Sequence, residues 1–155
     1  MTGDMTRLVL LANVASTLML VGLIWFVQVV HYPQFARVGS EHFAQYQSDH
    51  VRLTTWVVAL PMLVEAVTSV ALALKPPSKD LELACWVGLS MVILIWVATA
   101  LFQVPSHNVL VTGFDSKAHR SLVLSNWIRT VAWSMRGVIM LFLMNQMVAR
   151  GLENG

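Results

Sequence analysis

Four apolar stretches dominate the chain, at residues 8–30, 53–74, 83–104 and 127–149. Each is long enough to cross about 30 Å of hydrocarbon at about 1.5 Å of helix rise per residue. A backbone inside lipid must satisfy its own hydrogen bonds, and none of these stretches shows the alternation of apolar and polar residues that is typical of strands. The sequence therefore predicts an all-α fold, a bundle of four transmembrane helices.

The composition leaves no room for a separate soluble domain. Hydrophobic residues make up 57% and charged residues 12% of the 155 residues, against roughly 45–50% and roughly 25% in soluble domains. We therefore expect residues 1–155 to form one integral membrane domain. The ten basic residues are spread along the chain, which gives nucleic-acid binding no support. The single Cys85 excludes a disulfide or a thiolate zinc site within one chain.

The links between the stretches differ in length. The second is a short proline-broken turn at residues 75–80, whereas the first and third are much longer and lie on the same side. Residues 41–46 and 117–124 are partly apolar, which predicts short interfacial helices in these two long loops. Pro33 and Pro105 predict the ends of the preceding spans, because the residue before a proline is biased away from helix.

The two halves of the chain show a weak internal repeat. Each half contains, in the same order, Leu-Ile-Trp, a glutamine, a histidine, a glycine and Arg-x-x-x-Trp. If both halves enter the membrane in the same sense, the two helical hairpins are parallel repeats related by an axis along the membrane normal.

All five histidines lie in or beside the long loops, and three of them stand at helix ends: His31, His50 and His107. Histidine is a common ligand of transition metals and of haem iron, and helix ends of a rigid bundle can hold such ligands in fixed positions. The sequence therefore predicts a site for haem b or a transition metal near the long-loop face. The alternative is that these histidines cap helices or lie at the level of the lipid headgroups, because no two have the spacing that places ligands on one helical face.

Polar residues follow the inner faces of three predicted spans and point to a second group of candidates. The group comprises Gln28 on the first span, Gln103 on the third, and Asn126 and Arg129 at the start of the fourth. Hydrocarbon offers such side chains no partner, so they face protein or a water-lined cavity. They either connect the helices by hydrogen bonds or line a polar pocket that opens to the long-loop side.

A charged residue in the fourth span is the most unusual feature of the sequence. Arg136 falls near the middle of the membrane, where a charge costs roughly 2.5–3.5 kcal/mol or more and needs a partner or a cavity. Glu65 lies at a comparable depth in the second span. We therefore predict an Arg136–Glu65 ion pair, which either locks two helices in register or binds a carboxylate-bearing ligand or relays protons.

Three segments resemble an uncharacterised family of small bacterial four-helix membrane proteins. They are residues 23–35 (LIWFVQVVHYPQF), residues 50–65, which end in PMLVE, and residues 113–136 (GFDSKAHRSLVLSNWIRTVAWSMR). The resemblance implies the four-helix fold alone, and it implies no reaction. We expect the chain to lie in the bacterial inner (plasma) membrane. More distantly, Trp25-Phe26 followed by Pro33 resembles the first helix of haem-binding membrane oxidases of the protoporphyrinogen-oxidase type, although the early histidine of those proteins has no counterpart here.

Basic residues near the span ends indicate the orientation. The side with both termini carries Arg7, Lys75, Lys79 and Arg150, whereas the long loops carry Arg37, Lys117 and Arg120. This distribution predicts cytoplasmic termini.

Three functions are compatible with these features. The first is a membrane oxidoreductase that holds haem b or a transition metal through His31, His50 and His107 and acts on a lipid-soluble substrate such as a quinone or a porphyrin; Arg129 and Arg136 would then neutralise propionates or carboxylates. The second is a non-enzymatic subunit of a larger membrane complex, or a homo-oligomer, in which the polar residues are structural. The third is a small transporter, which needs a polar pathway through both faces.

Overall fold

The computed structural model describes residues 3–153, and this part of the chain is helical except for short links. Four helical spans are long and apolar enough to cross a membrane: Asp4–Arg37, Ser40–Leu74, Lys79–Leu110 and Ser116–Arg150. The prediction of an all-α, four-helix fold is therefore confirmed. By length and composition of these helices, the chain is a multi-pass membrane protein.

The first and third spans are built from several helical segments. The first contains α1 (Gly3–Phe26), a π-helical turn (Val27–His31), α2 (Tyr32–Gln34) and a 3₁₀ turn (Phe35–Arg37). The second is the single helix α3 (Ser40–Leu74). The third contains a 3₁₀ turn (Lys79–Leu81), α4 (Glu82–Ala98), a second π-helical turn (Thr99–Gln103) and α5 (Val104–Leu110), and the fourth is α6 (Ser116–Glu153).

The spans pack in a ring. Helix α1 lies against α3 and α6, and α4 lies against α6 and α3, so that each hairpin contacts the other along both sides. At one end the side chain of Arg150 pairs with Asp80, which places the last turns of α6 beside the short second link. The other end carries the links at residues 38–39 and 111–115, which are shorter than the long loops predicted there because the flanking helices extend into them. We call it the long-link end after that prediction.

The helix boundaries correct one detail of the sequence prediction. Residues 41–46 and 117–124 are not separate interfacial helices, since they form the first turns of α3 and α6, which begin at Ser40 and Ser116. The reason is burial: Phe43 and Leu122, one in each segment, are fully buried against Phe35 and Leu110. These apolar contacts extend the bundle by about three turns beyond the predicted spans, at about 3.6 residues per turn.

The two prolines also act differently from the prediction, because the helical path continues through both. A π-helical turn precedes each proline, and the N–H of Tyr32 donates to the carbonyl of Val27 while that of Val104 donates to the carbonyl of Thr99. Pro33 and Pro105 then lie in the first turn of α2 and α5. A proline is tolerated there because the missing N–H has no partner in a first turn. A π-helical turn followed by a proline thus occurs once in each half of the chain, which agrees with the internal repeat.

An apolar cluster fills the bundle at the end where Arg150 meets Asp80. It consists of Leu10, Val14, Leu72, Leu81, Cys85, Met140 and Leu143. Apart from Thr6, the buried polar residues of the described chain lie in the middle of the bundle and towards the long-link end.

Candidate functional site

The buried ion pair suggested by the sequence is present in the centre of the bundle. Arg136 and Glu65 are 0% and 1% exposed, and Nε of Arg136 donates to Oε1 of Glu65 at 2.8 Å. The remaining guanidinium nitrogens reach the other helices. Nη1 donates to the carbonyl of Gly88 at 2.6 Å, and Nη2 donates to Oδ1 of Asn13 at 2.8 Å and to Oγ of Ser69 at 2.6 Å.

Both oxygens of the Glu65 carboxylate accept hydrogen bonds from other side chains as well. Its Oε1 also accepts the hydroxyl of Thr17 at 2.8 Å, and its Oε2 accepts the indole N–H of Trp133 at 3.1 Å. The Arg136–Glu65 pair and its partners, which we call the central clasp, therefore join all four spans. Each of the two charges is thus engaged by hydrogen bonds from its neighbours.

Gly88 makes the clasp possible by its size. A Cβ atom on Gly88 would lie 3.2 Å from Nη1 of Arg136 and 3.1 Å from Cε of Met140. A side chain at this position would press on the guanidinium, so the small size of Gly88 favours the close approach of Arg136 to the backbone of α4.

A cavity of about 180 Å³ lies next to the clasp, towards the long-link end. Its apolar wall includes Leu20, Ile24, Val58 and the ring of Trp133. Trp133 therefore separates two compartments, because its ring lines the cavity while its N–H donates to Glu65. The polar wall consists of Tyr32, His50, Thr54, Thr99, Gln103, His107 and Arg129, with Thr55 and Asn108 near the surface.

The cavity opens sideways, between α3 and α5. The exposed residues among its lining are Thr55 on α3, and Val104 and Asn108 on α5.

The structure brings the three predicted histidines together beside this cavity. The ring centroids of His31 and His50 are 4.6 Å apart, and those of His50 and His107 are 5.3 Å apart. Nε2 of His31 lies 2.8 Å from Nδ1 of His50, and the hydroxyl of Thr54 lies 3.1 Å from the same Nδ1. His50 and His107 line the cavity, whereas His31 lies outside it.

Both ring nitrogens of His107 are engaged. The amide nitrogen of Gln47 lies 2.6 Å from Nδ1, and the hydroxyl of Tyr32 lies 3.1 Å from Nε2. Tyr32 is in turn within hydrogen-bonding reach of the guanidinium of Arg129. A connected path of polar groups thus runs from α3 through His107 and Tyr32 to the cation of α6.

The other polar candidates hold the wall of the cavity in place. Gln28 donates to the carbonyl of Val123 at 3.2 Å and accepts from Asn126 at 2.9 Å, so it ties the first π-helical turn to α6. Asn126 in turn accepts from Nη1 of Arg129 at 3.3 Å. Gln103 donates to Ser125 at 2.9 Å, and its Oε1 is buried without a partner.

The geometry of the described residues does not fit the predicted metal or haem. In the part of the chain that the structure describes, no three His, Cys, Asp or Glu side chains are arranged to hold a metal ion. The cavity of about 180 Å³ is also smaller than the roughly 300–1,000 Å³ of pockets for drug-sized ligands. A porphyrin ring system does not fit in such a space.

The candidates from the sequence thus fall into two groups. Glu65 and Arg136 form the clasp, and the others lie in or around the cavity. Tyr32, Gln47, Thr54 and Gly88 were not predicted as site residues. Tyr32 directly follows the first π-helical turn and is buried, and the apolar pattern of the sequence does not show such a turn.

Comparison with protein-family models, with curated proteins and with solved structures finds no match.

Proposed function

We propose that this protein binds a small, lipid-soluble, amphipathic molecule in the cavity, which the molecule enters from the bilayer between α3 and α5. The observation that carries the proposal is the cavity itself, with an apolar wall on one side, hydrogen-bonding side chains on the other and a lateral opening. Ligand sites are typically apolar cavities with a few convergent polar groups. Redox conversion of the bound molecule, which the sequence predicts, stays a prediction.

The size of the cavity limits what it can hold. An apolar cavity of about 150 Å³ accommodates a molecule the size of benzene, so about 180 Å³ accommodates one ring or a short chain. A longer tail would extend through the lateral opening into lipid. A quinone head group matches these limits, whereas a porphyrin exceeds them.

The test fills the cavity and asks whether a bound molecule is lost. Val58 lines the cavity, so Val58→Trp would occupy it, and the neighbouring Val57 is 49% exposed, so Val57→Trp is the matched control. The three proteins are purified in mild detergent, and small molecules released from them are measured by mass spectrometry. We expect a molecule that is retained by the natural protein and by Val57→Trp and depleted in Val58→Trp. Equal retention by all three proteins would refute cavity binding.

The same purification examines the alternative of a structural subunit. Stoichiometric co-purification of a larger assembly, with no molecule that depends on the cavity, would favour that role. A transporter has the weakest support, because the apolar cluster around Leu10 and Leu143 closes the bundle beyond the central clasp.

We further propose that the protein lies in the bacterial inner membrane with both termini in the cytoplasm. The support is the group of basic residues at that end, Arg7, Lys75, Lys79 and Arg150. Green fluorescent protein fused to the C-terminus should be fluorescent, and alkaline phosphatase fused there should be inactive. The opposite pair of results would reverse the orientation.

A further inference from the structure

A buried cation without a counter-ion faces the cavity. The side chain of Arg129 is 9% exposed and lines the cavity wall. Among the side chains described, the ion pairs join Arg52 to Asp49, Arg136 to Glu65 and Arg150 to Asp80, and none includes Arg129. Of the two buried arginines of α6, Arg136 therefore has a carboxylate partner and Arg129 has none.

The contacts of Arg129 compensate its charge only in part. Its guanidinium stands 5.1 Å from the ring centroid of Trp133, and its hydrogen-bonding neighbours are the uncharged side chains of Asn126, at 3.3 Å, and Tyr32. Its Nε is buried and has no partner. A cation removed from water without an opposite charge is costly. An anion in the cavity would remove that cost.

Tyr32 supplies a second donor beside Arg129. If the Gln47 amide N–H donates to Nδ1 of His107, the proton of that imidazole is on Nε2, which faces the oxygen of Tyr32. This tautomer is an assignment from the hydrogen-bond pattern. The hydroxyl proton of Tyr32 is then available to another acceptor. The lining of the cavity includes no Asp or Glu side chain that accepts a hydrogen bond from Arg129 or Tyr32.

We propose that the molecule bound in the cavity carries a carboxylate, which Arg129 and Tyr32 bind through charge-assisted hydrogen bonds. Its apolar body lies against Ile24, Val58 and Trp133. This inference rests on the proposed function and narrows it from amphipathic molecules in general to amphipathic acids. A charged head group bound this way orients the molecule, with the head towards the long-link end and the body towards the central clasp.

The test compares two probes of nearly the same shape, one with an anionic carboxylate head group and one with an uncharged carboxamide. They are 4-octylbenzoate and 4-octylbenzamide, each with one ring for the cavity and a tail for the lateral opening. Binding is measured by calorimetric titration in detergent for the natural protein, for Arg129→Gln and for Arg52→Gln. Arg52 is an exposed arginine of α3 outside the cavity, so it is the matched control.

We expect the natural protein and Arg52→Gln to bind the benzoate with equal affinity and more tightly than the amide. Arg129→Gln should lose about tenfold or more in affinity for the benzoate, as expected for a lost charge-assisted hydrogen bond, and little for the amide. Benzoate without a tail tests the source of the acid: if it binds as tightly as the octyl form, the acid arrives from water, and if it binds more weakly, the acid arrives from the bilayer.

Two results would overturn the inference in distinguishable ways. If both probes bind equally and Arg129→Gln changes neither affinity, the cavity binds amphipathic molecules but does not select acids, and the proposed function survives alone. If neither probe binds and Val58→Trp also depletes no molecule, both proposals fail.

The unfolding temperature of the ligand-free protein provides an independent test of the role of Arg129. Because Arg129 has no counter-ion, we expect ligand-free Arg129→Gln to unfold at the same temperature as the natural protein or at a higher one. Addition of 4-octylbenzoate should raise the unfolding temperature of the natural protein and of Arg52→Gln but not that of Arg129→Gln. A large fall in the unfolding temperature of ligand-free Arg129→Gln would show that the cation already has a structural role, and would contradict the inference.

Discussion

The two buried arginines of α6 show how the surroundings of a side chain decide its role. Arg136 meets a carboxylate and three further acceptors, so its charge is compensated within the protein. Arg129 lies about two turns away on the same helix, and its neighbours are the ring of Trp133, the uncharged side chains of Asn126 and Tyr32, and the cavity. The first arginine stabilises the bundle, and the second is available to a ligand.

The clasp should therefore behave as a coupled pair in mutagenesis. Arg136→Gln leaves the carboxylate of Glu65 buried without its cation, and breaking a buried pair in this way costs about 3–5 kcal/mol. Glu65→Gln should cost a similar amount, while the double variant should lose less than the sum. Unfolding titrations of the four proteins in mixed micelles measure the coupling free energy. Strictly additive losses would contradict the clasp.

Gly88 provides a second test of the clasp, with a control on another helix. In Gly88→Ala the new methyl group would press on Arg136 and Met140, so we expect a loss of about 1–3 kcal/mol, as for other overpacked interiors. Gly22 has open space around its Cα. Gly22→Ala should therefore be neutral or should stabilise α1 by up to about 1 kcal/mol, because alanine has the higher helix propensity. Equal effects of the two substitutions in the same unfolding assay would exclude a special role of Gly88.

At the scale of the helices, the proline-linked π-helical turns position the site. Each turn adds one residue to the helical repeat, and the first of them directly precedes Tyr32, which is buried and faces His107. The second contains Thr99 and Gln103, which both line the cavity. Such turns are often found at functional sites, and here both lie at the level of the cavity.

The continuity of α3 can be tested with introduced prolines. Gln45 is exposed and lies inside α3, whereas Ser40 is its first residue. Gln45→Pro should destabilise the protein by about 3 kcal/mol, because proline removes a helical hydrogen bond and clashes with the preceding turn. Ser40→Pro should be tolerated, since proline suits the first helical position. If residues 41–46 formed a separate interfacial helix, thermal unfolding would show little difference between the two variants.

At the scale of the whole molecule, the interior is divided along the membrane normal. An apolar cluster closes one end, the clasp occupies the middle, and the cavity with its histidines lies towards the long-link end. Polar groups therefore reach the centre of the bundle from one side only, which suits the binding of a ligand from the bilayer better than its transport across it.

The small volume of the cavity leads to a prediction about colour. Protein purified from cells well supplied with haem should show no stoichiometric Soret band, because the cavity is too small for a porphyrin and the imidazole nitrogens bond to their neighbours. Absorption spectra of oxidised and reduced samples, with metal analysis, provide the measurement. A stoichiometric band in the natural protein that disappears in His50→Ala would contradict this prediction and would restore the haem hypothesis.

The sequence by itself determined the helical class, because a backbone inside hydrocarbon must form all of its hydrogen bonds within the protein. It also determined the number of spans, because each apolar stretch is long enough to cross the membrane. It also indicated the Arg136–Glu65 pair, since a mid-membrane charge requires a partner. Only the tertiary structure decided what Arg129, Tyr32 and the histidines do. Hydrophobicity indicates depth in the membrane, but the distance between side chains on different helices depends on how each helix is rotated about its axis. In the first and third spans a π-helical turn changes that rotation, and the apolar pattern of the sequence does not show it.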